Sequence, residues 1–170
     1  MHFAPFGVYY TKGGTMDFSE ILPVLDGCEF FKGLKKSDHE QIAELCESKT
    51  YRPGEFVFRQ GDFGEHLYII EEGQVFLERT IDLDMRKGNA VIGILGKGRV
   101  FGCWSTLINE PHNLMSSAMC RKQTKVVILK GADLRNMMID NKDLGFKILE
   151  RLCFLLRDRI QGALGALEKI

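Results

Sequence analysis

The sequence predicts a mainly β domain of jelly-roll barrel type with flanking helices, and three observations carry that prediction. From Tyr51 to Gly131, short apolar runs of strand length follow one another, with glycine and aspartate between them. Before and after this stretch the apolar period is helical. The last helical stretch also carries a heptad seam, which predicts a long helix with a second face to cover.

The elements follow in order. Residues 1–16 read as a flexible tail ahead of an acidic, amphipathic start. Met1–Tyr10 contains no Lys or Arg and is broken by Pro5 and Gly7, unlike a secretory signal. Residues 17–170 read as one domain. Within it, residues 17–49 are expected to be short helices. Ile21, Leu22 and Leu25 form one apolar cluster, and Ser37 with Glu40 has the spacing of a capping box. Ile42, Leu45 and Cys46 continue at helical spacing.

Residues 51–131 form the expected barrel. Its strand-like runs are Phe56–Phe58, Leu67–Ile70, Val75–Leu77, Ala90–Ile92 and Val126–Leu129. Pro53-Gly54 turns the chain into a strand, and Gly61-Asp62-x-Gly64 predicts a tight turn with positive φ. Residues 132–170 return to helix, with a short helix over 132–139 and a longer one from Asn141 onward. In the longer helix Leu144, Ile148, Leu152 and Leu155 form one stripe. Phe146, Leu149, Cys153, Leu156, Ile160, Ala163 and Leu167 recur at alternating steps of three and four and form the seam. We expect the first stripe to pack on the barrel and the seam to pair with a second copy, giving a homodimer.

Composition narrows the function classes. Lys+Arg and Asp+Glu both number 23 in the 170-residue chain, so the formal net charge is zero. A neutral chain lacks the cationic excess that binds nucleic acid, and no DNA binding by this chain alone is expected. No apolar run reaches the roughly 18 residues of a membrane span. Cys28, Cys46, Cys103, Cys120 and Cys153 are scattered, with no C-x-x-C pair. That pattern favours reduced thiols in a cytoplasmic protein over a disulfide or zinc framework, and no metal is expected. His2, His39 and His66 read as solvated. No P-loop, nucleophile elbow or zincin motif occurs, so no enzymatic activity is expected.

The ordered set Arg52-Pro53-Gly54-Glu55-x-Val57-Phe58-Arg59-Gln60-Gly61-Asp62-x-Gly64-Glu65-x-Leu67-Tyr68-Ile69-Ile70-Glu71-Glu72-Gly73-Gln74-Val75 resembles the first half of a cyclic-nucleotide-binding domain. This is the jelly roll shared by the catabolite activator protein (the Crp/Fnr-type superfamily) and the regulatory subunits of protein kinase A. The resemblance covers about residues 20–165. It implies a phosphate-binding cassette in the second half, and the segment from Phe101 to Leu114 aligns to it without a gap. Phe101, Gly102, Leu107, Glu110 and Pro111 match the pattern. In the family a glutamate takes the ribose hydroxyl and an arginine takes the cyclic phosphate. Here Cys103 and His112 stand at those two positions. The helix positions that meet the purine in the catabolite activator pattern align with Ala163 and Leu164, which carry no hydroxyl.

The candidate ligand-binding residues are therefore Phe101, Gly102, Cys103, Trp104, Ser105, Pro111, His112 and Asn113. The resemblance implies a regulatory module of diverged cassette that signals through the dimer helix to a partner protein, its identity left open. A cyclic AMP or cyclic GMP receptor with altered contacts and a ligand-free interaction scaffold are the alternatives.

Overall fold

The computed structural model describes residues 18–83 and 86–167, and the expected tail over 1–16 lies outside them. The chain opens with α1 (Phe18–Gly27) and α2 (Lys36–Ala43). Eight strands follow: β1 (Cys46–Tyr51), β2 (Phe56–Phe58), β3 (His66–Glu72), β4 (Val75–Leu83), β5 (Arg86–Leu95), β6 (Val100–Gly102), β7 (Ser117–Cys120) and β8 (Thr124–Lys130). A 3-10 turn, Trp104–Ile108, lies between β6 and β7. The chain then forms α3 (Gly131–Asp140) and α4 (Lys142–Leu167). No helix among the described residues is long and apolar enough to cross a membrane.

The strands make two antiparallel four-stranded sheets, in the orders β1-β8-β3-β6 and β2-β7-β4-β5. The expected jelly roll is thus built as a pair of antiparallel sheets, without full closure into a barrel. β2 and β6 are three residues each, too short to join the sheets by a continuous ladder. β3 and β8 occupy the middle of their sheet and are buried on both faces. Leu67, Ile69, Val127 and Leu129 face the helices, whereas Ile70 and Val126 face the other sheet. Side chains alternate along a strand, so one strand feeds two cores.

Two corrections fall at the N-terminal end. The helix expected to run to residue 49 stops at Ala43, and Cys46 already begins β1. Its six residues pair in register with β8, from Cys46 opposite Leu129 to Tyr51 opposite Thr124. Sheet pairing overrides the local helical spacing there. The capping box is also absent. α2 begins at Lys36, its N-cap is Lys35, and no side chain caps it. His39 is not solvated. It is buried, with Nε2 2.9 Å from the Phe31 carbonyl oxygen.

The two faces of α4 separate as the periodicity predicts. Leu144, Ile148 and Leu152 are buried in the helix-side core, beside half-buried Leu155. Phe146, Leu149, Leu156 and Ile160 are exposed, with Phe146 at 68% and Ile160 at 59%. Cys153 is exposed as well. The side chains of Ala163 and Leu167 lie outside the described residues. All five cysteines are free thiols.

Candidate functional site

The site grows from two glycines that bring the cassette against the first sheet. Gly102 has φ +114, and a Cβ there would stand 2.4 Å from the His66 carbonyl oxygen. At Gly64 a Cβ would meet Cys103 Cβ at 2.7 Å. Only glycine allows these approaches, so both are demands of the fold. The Cys103 amide donates to the His66 carbonyl (3.0 Å) and the Gly64 amide to the His112 carbonyl (3.1 Å). The cassette is thereby fastened at Cys103 to the first residue of β3 and at His112 to the turn that precedes it.

A cavity of about 250 Å³ lies beside this junction. That is slightly below the roughly 300–1,000 Å³ usual for small-molecule pockets. Phe58, Leu77, Phe101 and Leu114 form its apolar side, and Gly102, Trp104, His112, Met115, Ser116 and Arg159 complete it. The Phe101 ring lies 5.9 Å from Phe58 and 5.3 Å from Tyr68, in one aromatic stack.

Of the eight residues named from the sequence, Phe101, Gly102, Trp104 and His112 line this cavity. Cys103 and Ser105 sit behind His112. Ser105 Oγ lies 2.7 Å from His112 Nδ1, and Cys103 Sγ lies 3.4 Å from Ser105 Oγ and 3.7 Å from His112 Nδ1. The contact with Ser105 occupies His112 Nδ1 and leaves Nε2 as the ring nitrogen for a further contact. The three residues form a chain of polar contacts from a thiol that is 1% exposed to a histidine on the cavity wall. Pro111 and Asn113 do not line the cavity. Both are exposed, and Asn113 forms a bridge with Phe63. Among the described residues no group of three or more His, Cys, Asp or Glu is placed to hold a metal.

Arg159 on α4 is the site residue that the sequence reading missed. The helix was read at Ala163 and Leu164. Leu164 is 55% exposed, and the cavity instead receives Arg159, one helical turn earlier than Ala163. Its Nη2 donates to the Val100 carbonyl (2.5 Å) and to Glu29 Oε1 (3.1 Å), and its guanidinium lies 5.2 Å from the centre of the Trp104 ring. Burial lowers the pKa of Arg159, with Glu29 opposing that shift. Glu29 also holds Arg99 (3.0 Å) and accepts from the Val100 amide (2.9 Å). A charge seated on a face otherwise read as apolar was the available signal for Arg159.

Trp104 packs edge-on against Phe30 at 5.1 Å and is half-buried, so it joins the helix-side core to the cavity. Behind it, the Thr106 hydroxyl donates to the Cys103 carbonyl (2.7 Å). Thr106 also packs where a Cβ on Gly131 would fall, which seats the 3-10 turn on the start of α3.

An antiparallel jelly roll with a cassette between β6 and β7 and a long C-terminal helix over the cavity defines a ligand-binding regulatory fold. The profile of the cyclic nucleotide-binding domain matches residues 48–141, more than half of the chain, and the chain belongs to that family. It is 28% identical over 134 residues to a cGMP-dependent protein kinase of Plasmodium berghei, a match that takes in 73% of this chain and 15% of the kinase. The chain therefore spans a small part of that relative's length. A solved cyclic nucleotide-binding domain from Methylobacillus flagellatus superposes with a TM-score of 0.75 at 22% identity, covering 90% of this chain and 84% of the other. The regulatory subunit of a cAMP-independent protein kinase A from Trypanosoma brucei, solved as a triple variant bound to cAMP in its A site, superposes with a TM-score of 0.69 at 23% identity. That match covers 88% of this chain and 51% of the subunit.

Proposed function

We propose that this chain is a non-enzymatic regulatory module that holds an anionic ligand in the cavity and reports its presence through α4. The observation that carries this reading is the position of Arg159. It is a cation on the C-terminal helix, it lines the cavity, and it is fastened to Glu29 and to the Val100 carbonyl. An anion that draws Arg159 inward changes what holds α4 against the sheet. The exposed stripe of α4 then carries the output, by pairing with a second copy and through it with a partner protein. The free thiols suit the reducing cytoplasm.

The ligand is read by different groups from those of the family pattern. A charge-assisted bond to phosphate contributes about 1.5–3 kcal/mol, or about 10- to 150-fold in affinity. His112 offers a single donor where the family has a guanidinium, and the Cys103 thiol is a poor acceptor where the family has a carboxylate. Cyclic AMP is therefore expected to bind with a Kd weaker than about 100 μM, corresponding to less than about 5.5 kcal/mol. The same fold serves a cAMP-independent protein kinase A in Trypanosoma brucei, so the fold alone does not dictate cyclic AMP control.

Arg159 also favours a second reading, a cyclic-nucleotide receptor in which this residue takes over the phosphate. Thermal unfolding in the presence of cyclic nucleotides and small anions separates the two. A ligand at 100 times its Kd stabilises by about 2.7 kcal/mol. The first reading expects an anion other than cyclic AMP or cyclic GMP to give that shift, and expects Arg159→Gln to abolish it. If cyclic AMP gives the shift at micromolar concentration, the second reading holds. If no anion shifts the parent, the chain is a scaffold.

A further inference from the structure

A second concavity, of about 420 Å³, is lined by Glu29 and has a different character from the cavity. Its walls are the segment that follows α1, the turn between β5 and β6, and the middle of α4. Four cations line it, Lys32, Lys97, Arg99 and Arg151, against two carboxylates, Glu29 and Asp158. This is a local departure in a chain whose charges balance overall.

The carboxylates are already engaged. Asp158 takes Arg157 through Nε (2.9 Å) and Nη2 (2.7 Å), and Glu29 is shared by Arg99 and Arg159. The side chains of Lys32, Lys97 and Arg151 have no ion pair or hydrogen bond among the described residues. Arg151 is half-buried through its stem, and its guanidinium reaches the solvent of the cleft. Gly33, at φ +86, lies beside Arg151, and a Cβ there would stand 3.4 Å from Arg151 Nη2.

Backbone contacts set the walls. The Glu29 amide donates to the Gly98 carbonyl (3.0 Å), and a Cβ on Gly98 would stand 3.0 Å from the Gly27 carbonyl oxygen. The cations are thus mounted on three elements held at fixed separation. Such a cluster matches phosphate oxygens, which accept from ammonium and guanidinium together. Three unpaired cations call for more than one negative charge, and the volume falls in the usual range for a small ligand.

We infer that this cleft is a binding site for a small phosphate-bearing molecule with two or more negative charges, and that it is linked to the cavity through Glu29. An anion that engages Arg99 leaves the Glu29 carboxylate to Arg159, whose guanidinium lies over the ring of Trp104, the only tryptophan of the chain. The cleft stands on its own residues and does not depend on what the cavity binds.

The test uses pyrophosphate as the probe, followed by calorimetry and by Trp104 emission. The parent should bind it, and His112→Gln, which alters only the cavity, should bind it equally well. Lys97→Glu with Arg151→Glu should weaken binding at least tenfold and abolish the change in Trp104 emission that pyrophosphate causes in the parent. If thermal unfolding shows that the double variant does not fold, Lys97→Ala and Lys32→Ala replace it, each expected to weaken binding at least threefold. Absence of binding in the parent, or equal binding in the cleft variants, overturns the site. Binding confined to the cleft with no change in Trp104 emission overturns the link through Glu29. Loss of binding in His112→Gln alone places the pyrophosphate in the cavity and overturns the inference.

Discussion

The two sides of the cavity are built on different principles. The inner side, Phe58, Leu77, Phe101 and Leu114, belongs to the packed space between the sheets. The outer side, Trp104, His112 and Arg159, hangs from a 3-10 turn, a loop and a helix. A change on the inner side disturbs close packing and registers as lost stability. A change at His112, the exposed residue of the outer side, is expected to leave the fold standing and to alter what the cavity holds. The chain keeps the family frame, and under the proposed reading frame and ligand are separable, with Cys103 and His112 standing where the resemblance implies the two ligand-reading residues.

The largest effect should come from breaking the inner side at its tightest contact. Gly102→Val puts a β-branched residue at φ +114, with its Cβ 2.4 Å from the His66 carbonyl oxygen. We expect a loss of about 3 kcal/mol or more in urea unfolding, together with any ligand response. Next comes the contrast across α4. Ile148→Ala, at a fully buried position, should cost about 2–5 kcal/mol. Leu156→Asp with Ile160→Asp, at exposed positions, should change protomer stability by about 0.5 kcal/mol per site or less. The same pair should convert a dimer to a monomer in sedimentation, because charge on a helix seam is costly to bury. If that double variant sediments as the parent does, the seam is not the interface.

A smaller effect concerns alkaline pH and the buried acids behind both sides. Burial pushes the Cys28 thiol up to about 11 and the Cys46 thiol up to about 12, and it pushes the Tyr68 phenol up to about 12. Each group holds its proton to higher pH in the folded chain than in the unfolded one. The stability they contribute is fully present below their ordinary values of 9.0 for the thiols and 10.0 for the phenol, and it falls as pH rises toward 11–12. Urea midpoints should therefore decline from about pH 9 upward. A flat profile to pH 11 would contradict this account of the core.

Much of the frame was legible because it is steric. Gly54 and Gly61 adopt positive φ in the turns that their spacing marked, and Gly64 does not. The residues that face the two cores also showed themselves, since buried strands read as apolar runs. β1 escaped because Cys46–Tyr51 is mostly polar, and pairing with β8 makes it a strand. β6 escaped because Phe101-Gly102 was read as the start of the cassette, and β7 because Ser117–Cys120 has no β-branched or aromatic residue. Of the site, the cassette was legible as a segment, and the approach of Cys103 to His112 follows from its loop. Glu29 and Arg159 were not legible as a pair. They are 130 residues apart in sequence, and only the seating of α4 brings them together.

The central claim, that the cavity keeps the family shape while its reading residues differ, is tested most directly by calorimetry with cyclic AMP. The parent is compared with Cys103→Glu combined with His112→Arg. We expect the parent to bind with a Kd weaker than about 100 μM and the double variant to bind at least tenfold tighter, as a restored charge-assisted bond to phosphate requires. Low-micromolar binding by the parent, with no gain in the double variant, would contradict the account and show that His112 and Arg159 already read the nucleotide.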